Sequence, residues 1–336
     1  MLPFPITITD APEIEGFRFR FVRGEEDAEA IYNLRSSCAE QDKVDLLSAT
    51  EGLPGIDEIR EALISATESD QLNYRILAEI NQEVVGYGMI DSWHEMDERW
   101  VYLILGWVIP KWRGHGIGTA LIHWGEQNAK RFATINHPGE RIEFAANSNT
   151  TQPESTNLLL NEGYRIGYTV LEMGLDLTKI PPISPLPAGI EIRPVLPEHN
   201  MSIAFSIGKS YQNEYENHRF QNSWNLLETL SRLSEPPQNP DLWQIAWAGN
   251  DVVGNVIPLY EKGRAIMYDI SVRPAWRGHG LARALLTRSL WDLRERGIEV
   301  VRLNTVKEFP TKAYELYQSV GFEVLKEFPR YRKIGE

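Results

Sequence analysis

Five residues occur twice in this chain: Trp112-Arg113-Gly114-His115-Gly116 returns 164 positions later as Trp276-Arg277-Gly278-His279-Gly280. A string holding both tryptophan and histidine does not recur by chance in 336 residues, so the chain must contain two copies of one structural unit. The similarity spreads outward and keeps its order. Upstream, Val108-Ile109-Pro110 matches Val272-Arg273-Pro274, Val84-Val85-Gly86 matches Val252-Val253-Gly254, and Gly16-Phe17-Arg18-Phe19-Arg20 resembles Gly189-Ile190-Glu191-Ile192-Arg193. Downstream, Asn147 closes an apolar strand as Asn304 does, and Glu162-Gly163-Tyr164 stands where Val320-Gly321-Phe322 stands. Between the copies, residues 181–189 carry four prolines, the composition of a stiff extended linker. The expected organisation is a first domain over residues 1–180, a linker over 181–189 and a second domain over 190–336.

Each copy reads as α+β. Residues 75–90 and 244–259 are paired apolar runs around the polar turns Asn81-Gln82 and Gly249-Asn250, as hairpins require. Residues 101–108 and 265–272 are rich in the side chains that buried strands prefer. After each glycine-rich string comes a helical pattern: Leu286, Leu290 and Leu293 share a face, and Gly297 suits the stop. Residues 299–304 form the next strand, and strand, helix, strand implies a parallel pair crossed by the helix.

Composition narrows the function. With 42% hydrophobic and 24% charged residues the chain has the means to bury an ordinary core. Its formal charge of −13 argues against a nucleic-acid partner, because phosphate contacts need clustered Lys and Arg. Cys38 is the single cysteine, so no intramolecular disulfide forms, and no Cys/His cluster has metal-ligand spacing. The longest apolar run, residues 101–110, is far short of a membrane span, and the start Met-Leu-Pro-Phe-Pro lacks the pattern of a secretory signal. The chain reads as cytoplasmic, with no membrane partner.

A strand leading through Arg-Gly-His-Gly into a helix gathers free backbone amides at the positive end of the helix dipole, a cradle for phosphate; the arginine adds charge suited to a diphosphate. The string is neither a Walker loop nor the Gly-x-Gly-x-x-Gly of a dinucleotide fold. Taken alone it reads equally well as a tight strand-to-helix turn.

Arg277-Gly278-His279-Gly280-Leu281-Ala282 and Arg113-Gly114-His115-Gly116-Ile117-Gly118 resemble the Arg/Gln-x-x-Gly-x-Gly/Ala motif of the GNAT superfamily of N-acetyltransferases. The resemblance covers nearly the whole chain as two tandem domains. It is fuller in the second, which also carries Val272-Arg273-Pro274 and the segment Ala313 to Phe322. It implies that each domain is a mixed, mostly antiparallel sheet with a splayed parallel strand pair, flanked by helices, and that acetyl-CoA is the co-substrate with no metal. The cofactor contacts it implies are Ile270, Ser271, Val272, Arg277, Gly278, His279, Gly280, Leu281, Ala282, Arg283, Asn304 and Tyr314 in the second copy. In the first they are Val108, Arg113, Gly114, His115, Gly116, Ile117, Gly118 and Thr119.

The family's chemistry is direct attack of an amine on the thioester in a ternary complex. It needs a base for an ammonium of pKa about 10, a donor to the oxyanion and a proton for the departing thiolate. Tyr317 matches the family tyrosine that protonates the thiolate, against the alternative that it fills the core of its helix. Main-chain N–H groups around Val272 are the implied oxyanion donors. Asp269 lies on the strand where many relatives carry an acidic residue, and reads as base or base relay, or else as a structural carboxylate. Asn304 holds the cofactor or a water, or caps its strand. His115 and His279 read as loop packing or phosphate contacts rather than as catalysts.

The polar run Tyr211 to His218 falls where the family faces its substrate; Glu214 and Glu216 either attract a cationic amine or form a solvated helix face. In the first copy the loop spacing sets Leu105 opposite Asp269, and either Leu159 or Leu160, depending on the landmark counted from, opposite Tyr317. The first half is thus expected to keep the cradle and lack the chemistry. The leading function is acetyl transfer to the primary amine of a small molecule. Transfer of a longer acyl group, a non-catalytic acyl-CoA-binding regulatory module and acetylation of protein amines are the alternatives, and the sequence leaves the oligomeric state open.

Overall fold

The computed structural model describes residues 6, 8, 10–68, 74–95, 99–217, 226–234, 239–261 and 264–335, with residues 212–217, 226–228, 261 and 264 described by backbone alone. Two compact units result. The first comprises the described residues up to Gly167 together with those from Pro329 onward, and the second runs from Tyr168 to Phe328.

The first unit is built from β1 (Phe17–Phe21), α1 (Ala28–Gln41), α2 (Ile56–Glu68), β2 (Arg75–Ile80), β3 (Glu83–His94), β4 (Arg99–Val108), α3 (Ile117–Asn136), β5 (Arg141–Asn147) and α4 (Pro153–Asn161). The strands β1 to β4 pair antiparallel in sequence order, and β4 pairs parallel with β5 across α3. The turn between β2 and β3 has positive φ at both Asn81 (50°) and Gln82 (73°), the backbone that a two-residue hairpin loop demands.

The chain then passes through β6 (Arg165–Asp176) into the second unit, which repeats the order: β7 (Glu191–Ile192), α5 (Asn200–Asn217), α6 (Leu226–Ser234), β8 (Gln244–Ala248), β9 (Asp251–Glu261), β10 (Arg264–Val272), α7 (Leu281–Glu295), β11 (Val300–Val306), α8 (Ala313–Ser319) and β12 (Glu323–Gly335). Strands β7 to β10 are antiparallel neighbours and β10 pairs parallel with β11. Both sheets are therefore mixed and mostly antiparallel. Each has a core on either side: α3 and α4 cover one face of the first sheet and α1 and α2 the other, and α7 with α8 and α5 with α6 do the same in the second.

The last strand of each unit comes from the other half of the sequence. Residues 330–335 of β12 pair antiparallel with β5, from Asn147↔Arg330 to Ile142↔Gly335. Residues 170–176 of β6 pair antiparallel with β11, from Val306↔Val170 to Val300↔Asp176. The units consequently part at 167/168 and 328/329, whereas the sequence pointed to domains 1–180 and 190–336. Prolines mark where a chain is stiff, and pairing of distant strands leaves no such local sign. The proline-rich segment lies along α7. Trp291 Nε1 donates to Pro181 O (2.8 Å), Ser184 N donates to Thr287 Oγ1 (3.0 Å), and Ile180 and Leu186 pack on the second core.

The long helix α7 illustrates how local sequence sets the frame. Leu285, Leu286, Leu290 and Leu293 are all fully buried, and burying each contributes about 1.5–3 kcal/mol relative to exposure. Gly297 at φ 79° ends the helix. Its N–H donates to Arg294 O (2.9 Å), and Ile298 N donates to Leu293 O (3.2 Å), the paired bonds of a Schellman stop. Among the described residues, no helix is long and apolar enough to cross a membrane.

Candidate active site

The parallel strands of the second unit share only three register pairs, Ala265↔Val301 to Met267↔Leu303, yet β10 continues to Val272 and β11 to Val306. Beyond Met267 they splay, which leaves main-chain groups on that edge of β10 free for a ligand. A bulge at Tyr268 accompanies the splay, because Met267 pairs with Pro258 while Asp269 pairs with Ile257. A cavity of about 680 Å³ opens there. Its wall runs from Ser210 and Tyr211 on α5, past Tyr268, Ile270, Ser271 and Val272, to Leu303, Asn304, Leu316 and Tyr317.

At the mouth of this cavity stands the repeated loop. Gly278 and Gly280 take φ of 77° and 80°, and a Cβ placed on either meets nothing within 4 Å. Their use is therefore conformational: L-residues disfavour that backbone, and glycine does not. Gly280 begins α7 without a side-chain cap, and Ala284, donating to Gly280 O at 3.0 Å, makes the helix's first bond. The amides before it sit at the positive end of the helix dipole, open to an anion. Gly278, Gly280, Leu281, Ala282 and Arg283 all line the cavity. Glycine-rich loop, uncapped helix and splayed strands together offer amides for an anionic group at the helix start and a slot for an extended arm between the strands.

Most of the residues singled out in the sequence meet here, with informative exceptions. Ile270, Ser271, Val272, Arg277, Asn304 and Tyr317 lie on the wall; Tyr314 is on α8, half-buried against the core and off the wall, and His279 is exposed on the loop and also off it. Arg277 is engaged in bracing the fold: its guanidinium donates to Val272 O (3.1 Å) and Ser210 O (2.6 Å), tying the loop to β10 and α5. Arg113 does the same in the first unit, donating to Val108 O (3.0 Å) and to both carboxylate oxygens of Asp42 (2.5 and 3.0 Å). Arg283 reaches across to Ser319 on α8. His115 Nδ1 lies 2.9 Å from Arg113 O and its ring stands edge-on to Trp112, a packing role.

Asp269 does not itself line the cavity; its carboxylate meets Tyr211 of α5, which does. Its carboxylate accepts from Asn255 Nδ2 at Oδ1 (3.1 Å) and from the Tyr211 hydroxyl at Oδ2 (3.4 Å), and Ser271 Oγ donates to Asn255 Oδ1 (2.8 Å). Burial pushes its carboxyl up to about 6, against the pull of the polar neighbours Asn255, Ser271 and Tyr211. A carboxylate so tuned takes and returns protons near neutrality. Tyr317, buried on α8, accepts from Val320 N and Phe322 N through its main-chain oxygen (both 3.1 Å) while its side chain reaches the cavity. Sequence reasoning missed Asn255 and the part played by Tyr211. The signal for Asn255 was a lone polar residue inside the apolar run Val252 to Ile257. Glu214 and Glu216 lie on the last turns of α5, and their side chains, like His218 altogether, fall outside the described residues.

The first unit has the same frame. Its parallel pair ends at Leu103↔Ala145, Gly114 and Gly116 take φ of 77° and 85°, and α3 starts uncapped at Gly116. The helix stops settle the register left open by counting. Tyr164 N donates to Leu159 O (3.0 Å) as Phe322 N does to Tyr317 O, so Leu159, buried, stands at the tyrosine's position. Gly86↔Val108 corresponds to Gly254↔Val272, which sets Tyr87, Leu105 and Trp107 opposite Asn255, Asp269 and Ser271.

The chain belongs to the GNAT acetyltransferase family and is an acyl-CoA-dependent acetyltransferase. Residues 28–141 match the acetyltransferase (GNAT) family and residues 239–324 the acetyltransferase (GNAT) domain, together more than half of the chain. Among curated relatives, the mycothiol acetyltransferase of Thermobispora bispora is 28% identical over 222 residues, covering 64% of this chain and 70% of that protein. Among solved structures, a GCN5-related N-acetyltransferase from Sphaerobacter thermophilus aligns with a TM-score of 0.73 at 23% identity over 96% of this chain and 97% of that one. A tandem GNAT protein from the clavulanic acid biosynthesis pathway aligns with 0.60 at 14% identity, over 95% and 99%. Members of this family use acetyl-CoA as co-substrate.

Proposed function

We propose that the second unit transfers an acetyl group from acetyl-CoA to the primary amine of a small molecule in a ternary complex, in the cytoplasm, and that the first unit keeps the loop without the chemistry. The observation that carries this reading is the splay of β10 from β11, which joins an open cradle to a cavity bearing Tyr317 and walled by the strand of Asp269. Acetyl-CoA, once bound, supplies a thioester carbonyl that an uncharged amine attacks, forming the C–N bond and breaking C–S. Gly278, Gly280 and the first amides of α7 hold the diphosphate, and the free edge of β10 lines the thioester arm and offers N–H groups to the oxyanion. The proton lost by the amine passes to the Tyr211 hydroxyl as that hydroxyl gives its own proton to Asp269. Tyr317 gives its phenolic proton to the departing sulfur, and solvent restores it.

The reading of a small-molecule acceptor is supported by the relatives, which are named mycothiol acetyltransferases. The test begins with calorimetric titration of acetyl-CoA, followed by release of free CoA thiol against a panel of amines: polyamines, amino sugars, amino-acid amides and unacetylated mycothiol. One site per chain and amine-dependent thiol release support the proposal. No binding at millimolar acetyl-CoA, or turnover unaltered in Tyr317→Phe, overturns it. Two sites per chain would overturn the part that treats the first unit as degenerate.

A further inference from the structure

We propose that Asn255 is a positioning residue for Asp269, with Ser271 locking its amide, so that one carboxylate oxygen is held and the other is turned to the Tyr211 hydroxyl, which links it to the cavity that takes the acceptor amine. The inference rests on the reading of the second unit as the transfer site.

Asn255 is fully buried on β9, where an amide is costly unless both of its ends are bonded. Both are bonded. Its Nδ2 donates to Asp269 Oδ1 at 3.1 Å and its Oδ1 accepts from Ser271 Oγ at 2.8 Å. The amide cannot be turned over without setting its oxygen against a carboxylate oxygen. Ser271 is the cross-strand partner of Asn255, and Asp269 is two residues before it on the same face of β10, so adjacent strands hold the three groups in place. Asp269 Oδ1 is thereby committed. Oδ2 meets the Tyr211 hydroxyl at 3.4 Å, longer than an O–H···O bond at its optimum, and faces α5, the side away from the loop helix.

The fold itself does not need this arrangement. The first unit sets Tyr87, Leu105 and Trp107 at the three matching positions, and there Tyr87 and Trp107 stack at 5.5 Å. Where the carboxylate is missing, both residues that hold it are missing too. Among the described residues, the groups that bear on the carboxylate are Asn255 from β9, Ser271 from its own strand and Tyr211 from α5, and none of them is charged.

The experiment uses the full chain and the variants Asn255→Ala, Ser271→Ala and Asn255→Ser. The titration of Asp269 is followed by ¹³C NMR of aspartate-labelled protein, with Asp269→Asn to assign the signal. Removing the amide donor should raise the midpoint by about one pH unit, with a smaller rise for Ser271→Ala and partial return in Asn255→Ser. The acid limb of kcat/KM should move the same way, with kcat reduced and, in Asn255→Ala, the acetyl-CoA KM within about twofold of the parent. A midpoint that stays put while the protein loses stability would reduce Asn255 to core filler and overturn the proposal. If Asn255→Ala does not fold, the midpoint in Ser271→Ala decides in the same sense. The NMR midpoint reads positioning without turnover. Absence of activity in the parent chain would therefore sink the transfer reading while leaving the Asn255 question to be answered separately.

Discussion

The two repeats set different side chains on one backbone. At the same register positions the second has a hydrogen-bonded Asn255, Asp269 and Ser271, and the first has Tyr87, Leu105 and Trp107, with the Arg35 guanidinium lying 4.6 Å over the Trp107 ring. Both loops keep their two positive-φ glycines. The loop survives in either copy because it also does structural work: its arginine ties β4 to Asp42, or β10 to α5. The Asp269 carboxylate does no such work. Buried, it costs stability, and the apolar cluster at the matching positions of the first repeat carries no such cost.

That contrast can be broken in several ways. The largest effect should come from Tyr317→Phe, which lowers kcat for acetyl transfer by about 10²-fold or more, whereas Leu159→Met at the matching site leaves it within about twofold. A small loss at Tyr317 in steady-state thiol release would remove the distinction between the units.

Next is Asp269→Asn, expected to lower kcat/KM about 10²-fold at pH 7.5 and abolish the acid limb near pH 6. The same change should stabilise the protein. The carboxyl is held above its unfolded value of 3.8, at about 6, so the folded state binds the extra proton between those values. Its cost to stability is in full above pH 6 and absent below about pH 4. Asp269→Asn should therefore gain on the order of 2 kcal/mol in denaturant unfolding at pH 7.5 and nothing at pH 3.5. Equal gains at both pH values would contradict the linkage.

Smaller again is Gly280→Ala, which strains the left-handed cap by about 1–2 kcal/mol and should weaken acetyl-CoA several-fold in calorimetry. Gly116→Ala, equally strained, should leave that affinity alone. The smallest effect sharpens the structural side: Asp42→Asn, which removes the charge paired with Arg113, should destabilise the first unit by about 1–2 kcal/mol in thermal unfolding without altering turnover.

Much of this was legible in the sequence because it rests on local rules. The hairpins, the strand-to-loop-to-helix order and the stop at Gly297 are written in residues a few positions apart. So was the absence of a tyrosine in the first copy, although counting alone left Leu159 and Leu160 open until the helix stops fixed Leu159. What escaped is what strand pairing brings together. The bond between Asn255 and Asp269 joins residues on neighbouring strands, and the diversion of Arg277 to Ser210 O joins a loop to a helix 67 residues earlier. The exchange of β6 and β12 was least visible, since a strand's own pattern names a face but never its neighbour.

That exchange has a consequence for synthesis. The strand that pairs with β5 begins at Arg330, so on the ribosome the first unit waits with one edge of its sheet unpaired until the entire second repeat has been made. The second unit, by contrast, receives β6 before any of its own strands. A unit translated first is thus finished last. Loss of residues 330–335 should surface as aggregation through β5, far from the lost residues in sequence.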